Sequence, residues 1–239
     1  MLVTGASRGI GRAIALMFAE MGDRVAVHYS SRREEAEKTL AGLPGEGHVL
    51  VGGDVAREAE AIVGAAVEGL GTVHVLVNNA AVNLPSPVAS TDYEEWQRVW
   101  RETVDVNLVG TANVSYLVAR HMIERGVAGR IVNVGSRGAF RGEPDHPAYG
   151  ATKAAVHALG QSLAAGLAPH GIGVASVAPG FVATERVAER VDDAVRAQSP
   201  FGRVAEPAEI AAAVRYLASA EAQWSSGAVL DVNGASYLH

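Results

Sequence analysis

Two polar side chains four residues apart, Tyr149 and Lys153, form the pair in this sequence that is best suited to proton transfer. Residues at i and i+4 of a helix share one face, with Cβ atoms about 5–6 Å apart. A free phenol titrates near pH ~10, and a neighbouring ammonium group lowers that pKa by favouring the phenolate. Such a tyrosine can exchange protons near neutral pH. Two solvated residues on an amphipathic helix would show the same spacing. Evidence from the rest of the sequence is therefore needed to distinguish a proton-transfer pair from two surface residues.

A glycine-rich turn near the start of the chain has the character of a phosphate-binding loop. Residues 5–11 read Gly-Ala-Ser-Arg-Gly-Ile-Gly, between an apolar strand and a helical pattern that starts at Arg12. Free N–H groups and the positive end of the following helix favour a pyrophosphate at such a turn. The spacing is G-x-x-x-G-x-G, which differs from the G-x-G-x-x-G of the standard dinucleotide fingerprint. A tight connection without a ligand is the alternative interpretation.

The residues after the second predicted strand indicate which nicotinamide cofactor would bind. An acidic residue at the end of this strand would bind a ribose 2′-hydroxyl and select NAD. This chain has Ser30, Arg32 and Arg33 there instead. Together with Arg8 of the glycine turn, these hydroxyl and guanidinium groups suit a 2′-phosphate, so we expect NADP(H) to be favoured over NAD(H). The alternative is that both arginines only begin a solvated helix.

Strands and helices alternate along the chain and must position these groups. Apolar segments predict strands at residues 1–4, 24–29, 48–51, 73–77, 129–136, 173–178 and 227–232. Helical patterns separate them, and one runs from residue 91 to about residue 125 with Asn107 in its middle. This alternation predicts one α/β domain over residues 1–239, with a doubly wound parallel sheet and ligands at the carboxyl ends of its strands. The polar segment 181–205 is long for a connection and is predicted to be a substrate lid.

Composition excludes several classes of function. The chain has 239 residues, a net charge of −6 and a pI of about 5.8, which argues against nucleic acid or an anionic membrane as a partner. It has no cysteine, and its eight histidines are scattered, so we expect no metal site. No apolar run reaches the ~18 residues of a membrane span. We therefore expect a cytoplasmic protein.

In its motifs the chain resembles the short-chain dehydrogenase/reductase family, over essentially its full length. The resemblance covers the family's cofactor turn, adenine contact, fourth-strand motif, catalytic tetrad and nicotinamide-side loop. In that order the matching residues are Thr4-Gly5-x-x-x-Gly9-x-Gly11; Asp54-Val55; Asn78-Asn79-Ala80; Asn107, Ser136, Tyr149 and Lys153; and Pro179-Gly180 with Thr184. One departure is Ala81, where the family's fourth-strand motif usually ends in glycine.

The resemblance implies a Rossmann-like fold of seven parallel strands in the order 3-2-1-4-5-6-7, with helices on both faces. It also implies a homotetramer. The cofactor contacts that it implies are Gly5, Ser7, Arg8, Gly9, Ile10, Gly11, Ser30, Asp54, Val55, Asn79, Ala80, Tyr149, Lys153, Pro179, Gly180, Val182 and Thr184.

The activity implied by the resemblance is reversible hydride transfer between a nicotinamide cofactor and a carbonyl/alcohol pair. Tyr149 would give its proton to the carbonyl oxygen, and Lys153 would lower the pKa of the phenol and hold the nicotinamide ribose. Ser136 would hydrogen-bond the substrate oxygen and stabilise its growing charge. Asn107 would hold a water in a proton relay that leads from Lys153 toward solvent.

The sequences of the first turn and of the C-terminal segment are similar to those of the bacterial 3-oxoacyl-(acyl carrier protein) reductase-like members of the family. We therefore expect reduction of a small-molecule or thioester carbonyl, such as a 3-oxoacyl thioester. The alternatives are an NAD(P)-dependent dehydrogenase of a sugar, polyol or secondary alcohol, and a nucleotide-binding regulator without catalysis. Arg137 and Arg141 follow Ser136 and are candidates to meet an acidic substrate or a phosphopantetheine arm. Ordinary solvated loop arginines are the alternative for these two.

Overall fold

A seven-stranded parallel sheet forms the centre of the computed structural model, which describes residues 1–185, 187 and 191–238. The strand order is β3-β2-β1-β4-β5-β6-β7, which confirms the expected doubly wound topology. Parallel pairing is continuous across the sheet; for example, Val3 lies opposite Val27 of β2 and Val77 of β4. The strands are β1 (Leu2–Val3), β2 (Ala26–Tyr29), β3 (Val49–Gly52), β4 (Val75–Asn78), β5 (Gly129–Val134), β6 (Ile172–Pro179) and β7 (Val229–Val232).

Helices connect successive strands on both faces of the sheet. The longest described helix carries Tyr149 and Lys153 and starts at Pro147, a residue that favours the first helical position because it needs no N–H partner. In the described part of the chain, no helix combines the length and the apolar character needed to cross a membrane. The helices are α1 (Gly9–Glu20), α2 (Arg33–Ala41), α3 (Ala59–Leu70), α4 (Tyr93–Val104), α5 (Thr111–Arg125), α6 (Gly138–Arg141), α7 (Pro147–Leu167), α8 (Asp193–Arg196) and α9 (Pro207–Ala218).

Two hydrophobic cores sandwich the sheet, and alternate residues of each strand enter opposite cores. Val3 and Val77 pack with helices α1 and α9 on one face. Their neighbours Leu2 and Leu76 pack with α3 and α5 on the other face. Because successive side chains of a strand point to opposite faces, strands buried on both sides are apolar throughout. The two cores fix the sheet rigidly and leave the carboxyl ends of its strands free to carry polar groups.

The helix expected to run without a break from residue 91 to residue 125 is interrupted by a π-helical segment, Asp105–Gly110. Asn107 lies inside this segment, and the Thr111 hydroxyl donates a 2.8 Å hydrogen bond to the Asn107 carbonyl. A π segment widens the helix locally and often marks a functional site. The asparagine in the middle of a helical pattern was therefore a sign of altered helix geometry, which hydrophobic periodicity alone does not predict.

The two ends of the predicted lid, residues 181–205, lie next to each other in the structure. Val182 forms an isolated parallel bridge with Ala205, and the Ala183 N–H donates to the Ala205 carbonyl at 2.8 Å. The short helix α8 lies between these ends. Residues 186 and 188–190 of the predicted lid lie outside the described residues, so its function as a lid stays a prediction.

Candidate active site

The glycine-rich turn connects β1 to α1 and is too closely packed for larger residues. Gly5 and Gly9 have φ angles of +63° and +55°, the left-handed region that favours glycine. A Cβ on Gly5 would lie 2.9 Å from the Cα of Ala80. The first N–H groups of α1 have no intrahelical partner, and Arg8 at the N-cap provides no side-chain cap. This cradle fits a pyrophosphate, because its free N–H donors and the helix dipole both favour an anion.

Thr4 and Asn79 hold the glycine turn against the end of β4. The Thr4 hydroxyl accepts hydrogen bonds from the N–H groups of Asn79 and Ala80, at 2.9 and 3.1 Å. In return, the Asn79 amide donates to the carbonyls of Thr4 and Gly5 at 3.0 and 2.9 Å. The Asn79 amide therefore holds the glycine turn in place, and both of its donor hydrogens bind backbone carbonyls of the protein.

His28 fixes the same turn from the β2 side, and the sequence reasoning missed it. Its Nδ1 accepts a 3.0 Å hydrogen bond from the Gly5 N–H, and its Nε2 lies 3.0 Å from the Gly53 carbonyl. Only a neutral ring with its proton on Nε2 satisfies both contacts. The side chain is 1% exposed, and burial lowers the pKa of His28 to about 4. A histidine at a buried position of the second strand was the signal available in the sequence.

The residues predicted to distinguish the two cofactors divide into two groups. Ser30, Arg32 and Arg8 all line the cleft above the sheet. Arg33 does not line it; its Nε instead donates to Glu37 at 2.8 Å on the outer surface of α2. Among the described residues no ion pair involves Arg8 or Arg32. As far as the described residues show, the cleft therefore has two guanidinium groups without an ion pair near the end of β2, where an NAD-selective protein would have an acid.

Lys153, Tyr149 and Ser136 meet where β5 ends beneath α7. The Lys153 ammonium is 4% exposed, donates to the Val134 carbonyl at 2.6 Å and lies 5.7 Å from the centroid of the Tyr149 ring. The Ser136 hydroxyl accepts a 3.0 Å hydrogen bond from the Gly138 N–H. One turn of α7 and the end of β5 thus bring a phenol, an ammonium and a hydroxyl to one place.

Asn107 lies beside this group but does not line the cleft. Its amide nitrogen donates to the Val82 carbonyl at 3.0 Å and to the Thr152 hydroxyl at 3.1 Å. Its amide oxygen accepts from the Val82 N–H at 2.8 Å. Asn107 is 1% exposed. Through these hydrogen bonds it connects the loop after β4 to Thr152, the residue that precedes Lys153. Thr152 was not singled out in the sequence.

A cleft of about 1210 Å³ lies at the carboxyl ends of the strands, and most of the predicted site residues line it. This is the edge at which open α/β sheets bind their ligands. The sequence-predicted residues that line it are Gly5, Ser7, Arg8, Gly9, Ile10, Gly11, Ser30, Asp54, Val55, Asn79, Ala80, Ser136, Tyr149, Lys153, Pro179, Gly180, Val182 and Thr184.

Known proteins with similar sequences and folds are oxidoreductases. A family model described as short chain dehydrogenase matches residues 1–194. The 3-oxoacyl-(acyl-carrier-protein) reductase FabG of Staphylococcus epidermidis is 36% identical over 244 residues, which cover 99% of this chain and 98% of that protein. An uncharacterized oxidoreductase of Methylorubrum extorquens is 34% identical, over 98% of this chain and 95% of its own length.

The comparison with solved structures agrees. The crystal structure of 3-ketoacyl-(acyl-carrier-protein) reductase from Brucella melitensis, complexed with NADH, matches this fold with a TM-score of 0.90. It is 31% identical, and the match covers 99% of this chain and 97% of that one.

Proposed function

Since this chain belongs to the short-chain dehydrogenase family and is an NAD(P)-dependent oxidoreductase of alcohol and keto groups, we propose that it reduces 3-oxoacyl thioesters with NADPH. The observation that carries this proposal is the shared cleft. It has the glycine turn at one end and Ser136, Tyr149 and Lys153 at the other. The thioester substrate is suggested by the relatives named 3-oxoacyl-(acyl-carrier-protein) reductase, which match nearly the whole chain.

The residues of the cleft fit a nicotinamide dinucleotide. Its pyrophosphate would be held by the glycine turn, and its adenosine would lie toward Asp54 and Val55, which line the cleft beyond β2. Its nicotinamide end would lie toward Pro179 and Gly180, which line the cleft where β6 ends, near Tyr149 and Lys153. When bound, the cofactor supplies the hydride for reduction or accepts it in the reverse direction.

Proton transfer is the task of the protein's own side chains. Tyr149 donates its phenolic proton to the carbonyl oxygen of the substrate. Ser136 donates a second hydrogen bond to that oxygen, because its Oγ accepts from Gly138 and so leaves its proton free to point into the cleft. Lys153 provides a fixed positive charge that stabilises the negative charge left on Tyr149.

Asn107 acts as a positioning residue in this proposal. Its contacts with Val82 and Thr152 hold α7 at a fixed distance from the loop after β4. A water at the π segment would then return protons from solvent to Lys153. The π segment supports this relay, since such segments are frequent at functional sites.

NADPH is the proposed reductant because of the charge at the end of β2. Arg8 and Arg32 line the cleft, and Ser30 supplies a hydroxyl where an acid would repel a 2′-phosphate. A guanidinium group binds phosphate through two parallel hydrogen bonds. We also propose that the enzyme works in the cytoplasm, where its reduced cofactor is regenerated.

A homotetramer is the proposed assembly, and exposed apolar side chains support it. β7 is an edge strand of the sheet, and Leu230 on it is exposed. Trp224, which precedes this strand, is 97% exposed, and Tyr116 on α5 is 63% exposed. Exposed apolar side chains at an edge strand and on a separate helix face suit burial against other copies of the chain. Light scattering in solution should give the mass of four chains.

Cofactor oxidation across a substrate panel tests the proposal. NADPH and NADH oxidation would be followed with 3-oxoacyl thioesters, simple ketones, sugars and polyols in parallel. We expect the highest kcat/KM for a 3-oxoacyl thioester with NADPH. A higher value for a sugar or polyol in the oxidative direction would replace this substrate class. Cofactor binding without turnover on any compound would contradict catalysis altogether.

A further inference from the structure

A buried guanidinium lies at the substrate end of the cleft, next to the catalytic serine. Arg137 follows Ser136, is 4% exposed and lines the cleft. Its N–H donates to the Pro179 carbonyl at 3.0 Å, which fixes its backbone between β5 and β6. Arg137 is therefore not the solvated loop arginine of the alternative interpretation, whereas Arg141 is exposed.

Every described contact of the Arg137 guanidinium is with a neutral group. It donates to the Ser236 hydroxyl and to the side-chain oxygen of Gln198, and its Cζ lies 5.1 Å from the centroid of the Phe181 ring. Among the described residues no carboxylate lies within 4 Å of it, although ten other ion pairs are formed. A buried charge without a counter-ion is costly to a fold.

Among the described residues, one further cation and one acid affect the charge of Arg137. Burial, and then the positive charge of Arg141, lower the pKa of Arg137, while Glu143 acts in the opposite direction. Arg141 adds a second guanidinium, which donates to the same Gln198 oxygen at 3.3 Å. Of these three charged groups, Arg137 and Arg141 are positive and only Glu143 is negative. A ligand with one negative charge would neutralise the remaining positive charge.

We propose that Arg137 forms an anion subsite, so that a substrate with a carboxylate in addition to the carbonyl that is reduced is preferred over its neutral analogue. This inference rests on the proposed reductase function and deepens it, because it adds a chemical requirement for the part of the substrate beyond the carbonyl. A carboxylate and a guanidinium form paired charge-assisted hydrogen bonds, which are about twice as strong as bonds between neutral groups. The Gln198 and Ser236 side chains hold the guanidinium in place until the carboxylate arrives.

Matched acids and esters test the subsite. The probes are acetoacetate, 4-oxopentanoate and 5-oxohexanoate, each compared with its methyl ester in NADPH-dependent reduction. The measured quantity is the ratio of kcat/KM for an acid to kcat/KM for its ester. In Arg137→Met we expect this ratio to fall by about fivefold or more for at least one pair, at least the order of one lost hydrogen bond. A merely structural role for Arg137 would lower both values together and leave the ratio unchanged.

A second variant keeps the test decisive if Arg137→Met does not fold. Gln198→Glu has the same shape as the natural side chain and supplies an internal carboxylate to Arg137. It should occupy the guanidinium and lower the acid-to-ester ratio, with Arg137 still present. The control is Arg120→Met, which removes an exposed arginine of α5 that pairs with Glu124 and should leave the ratio unchanged.

The outcomes separate this inference from the proposed function. Ratios that change by less than about fivefold in both Arg137→Met and Gln198→Glu overturn the subsite. Turnover of thioesters with no turnover of any of the three acids also overturns it, and leaves the proposed function standing. If no compound is reduced, calorimetric binding of 4-oxopentanoate decides instead. Binding to the parent protein that is weakened in Arg137→Met supports the subsite, and equal binding or none refutes it.

Discussion

The Nζ atom of Lys153 donates a 2.6 Å hydrogen bond to the Val134 carbonyl and lies 5.7 Å from the centroid of the Tyr149 ring. This relationship joins the end of β5 to the second turn of α7. The bond to the Val134 carbonyl fixes the position of the ammonium, and its charge lies beside the phenol. Four residues of helix are enough to pair the groups, but the strand carbonyl decides where the lysine lies.

Substitution of Lys153 should therefore damage catalysis even when the positive charge is kept. We expect Lys153→Met and Lys153→Arg each to lower kcat/KM by roughly a hundredfold, within the range usual for lost proton-transfer assistance. Arginine should not restore activity, because its planar guanidinium group cannot take the place of the compact ammonium that donates to the Val134 carbonyl. The control is Lys38→Met, which removes the exposed lysine of α2. A Lys153→Arg enzyme with nearly full activity would show that charge alone suffices.

Thr4 should be important for the stability of the cofactor turn. Thr4→Val keeps the shape of the side chain but leaves the N–H groups of Asn79 and Ala80 without their acceptor. Each orphaned buried donor costs about 1–3 kcal/mol, so we expect the free energy of unfolding to fall by about 2 kcal/mol or more. Thr4→Ser keeps the hydroxyl and should lose much less. Urea denaturation of both variants measures the difference, and equal losses would contradict this role.

The buried neutral His28 should make the fold sensitive to acid. Its folded pKa of about 4 lies below the ordinary value of 6.5, so the unfolded chain binds the proton more readily. The stabilisation from His28 is then complete above pH 6.5 and is lost as the pH falls toward 4. Linkage gives a loss of about 2 kcal/mol at pH 5 relative to pH 8. Thermal unfolding followed between pH 8 and pH 4.5 measures this slope.

A His28→Gln variant provides the comparison for that slope. Glutamine can accept from the Gly5 N–H and donate to the Gly53 carbonyl, but it does not titrate. We expect this variant to lose less stability between pH 8 and pH 5 than the parent protein. An identical slope in the two proteins would place the acid sensitivity in other groups.

Arg32 and Arg33 should differ in their effect on cofactor choice, although they are neighbours in sequence. We expect Arg32→Gln to lower the ratio of kcat/KM for NADPH to that for NADH by about tenfold, the order of one lost charged hydrogen bond. Arg33→Gln is the matched control, because that side chain pairs with Glu37 away from the cleft. Equal effects of the two substitutions would remove the structural basis for a 2′-phosphate site at Arg32.

Much of this fold and site could be predicted from the sequence because the signals are local. The apolar strands, the glycine turn and the Tyr149–Lys153 spacing each lie within a few residues, and the strand order followed from the family resemblance. What the pattern did not predict depends on long-range contacts. His28 is recognised as a support of the turn only when Gly53 and Gly5 are seen on either side of it.

Asn107 and Arg137 show the same limit in two other ways. Asn107 lies in a π segment and contacts Val82 and Thr152, which are distant in sequence, whereas periodicity predicted a regular helix. For Arg137 the sequence left both an anion-binding role and a solvated loop arginine open, because its burial arises from contacts with Ser236 and Gln198, far along the chain. Residue type and spacing indicated the chemistry, whereas burial had to come from the fold.

The most direct test of the central claim compares NADPH turnover and NADPH binding in Tyr149→Phe. The substitution removes one oxygen atom, so the cleft and the glycine turn should keep their shape. We predict that kcat for a 3-oxoacyl thioester falls by about a thousandfold, within the range of general acid catalysis, while the NADPH Kd from fluorescence stays within about threefold. Tyr93→Phe, at the exposed start of α4, is the control. A Tyr149→Phe enzyme with the activity of the parent protein would contradict the assignment of Tyr149 as the proton donor.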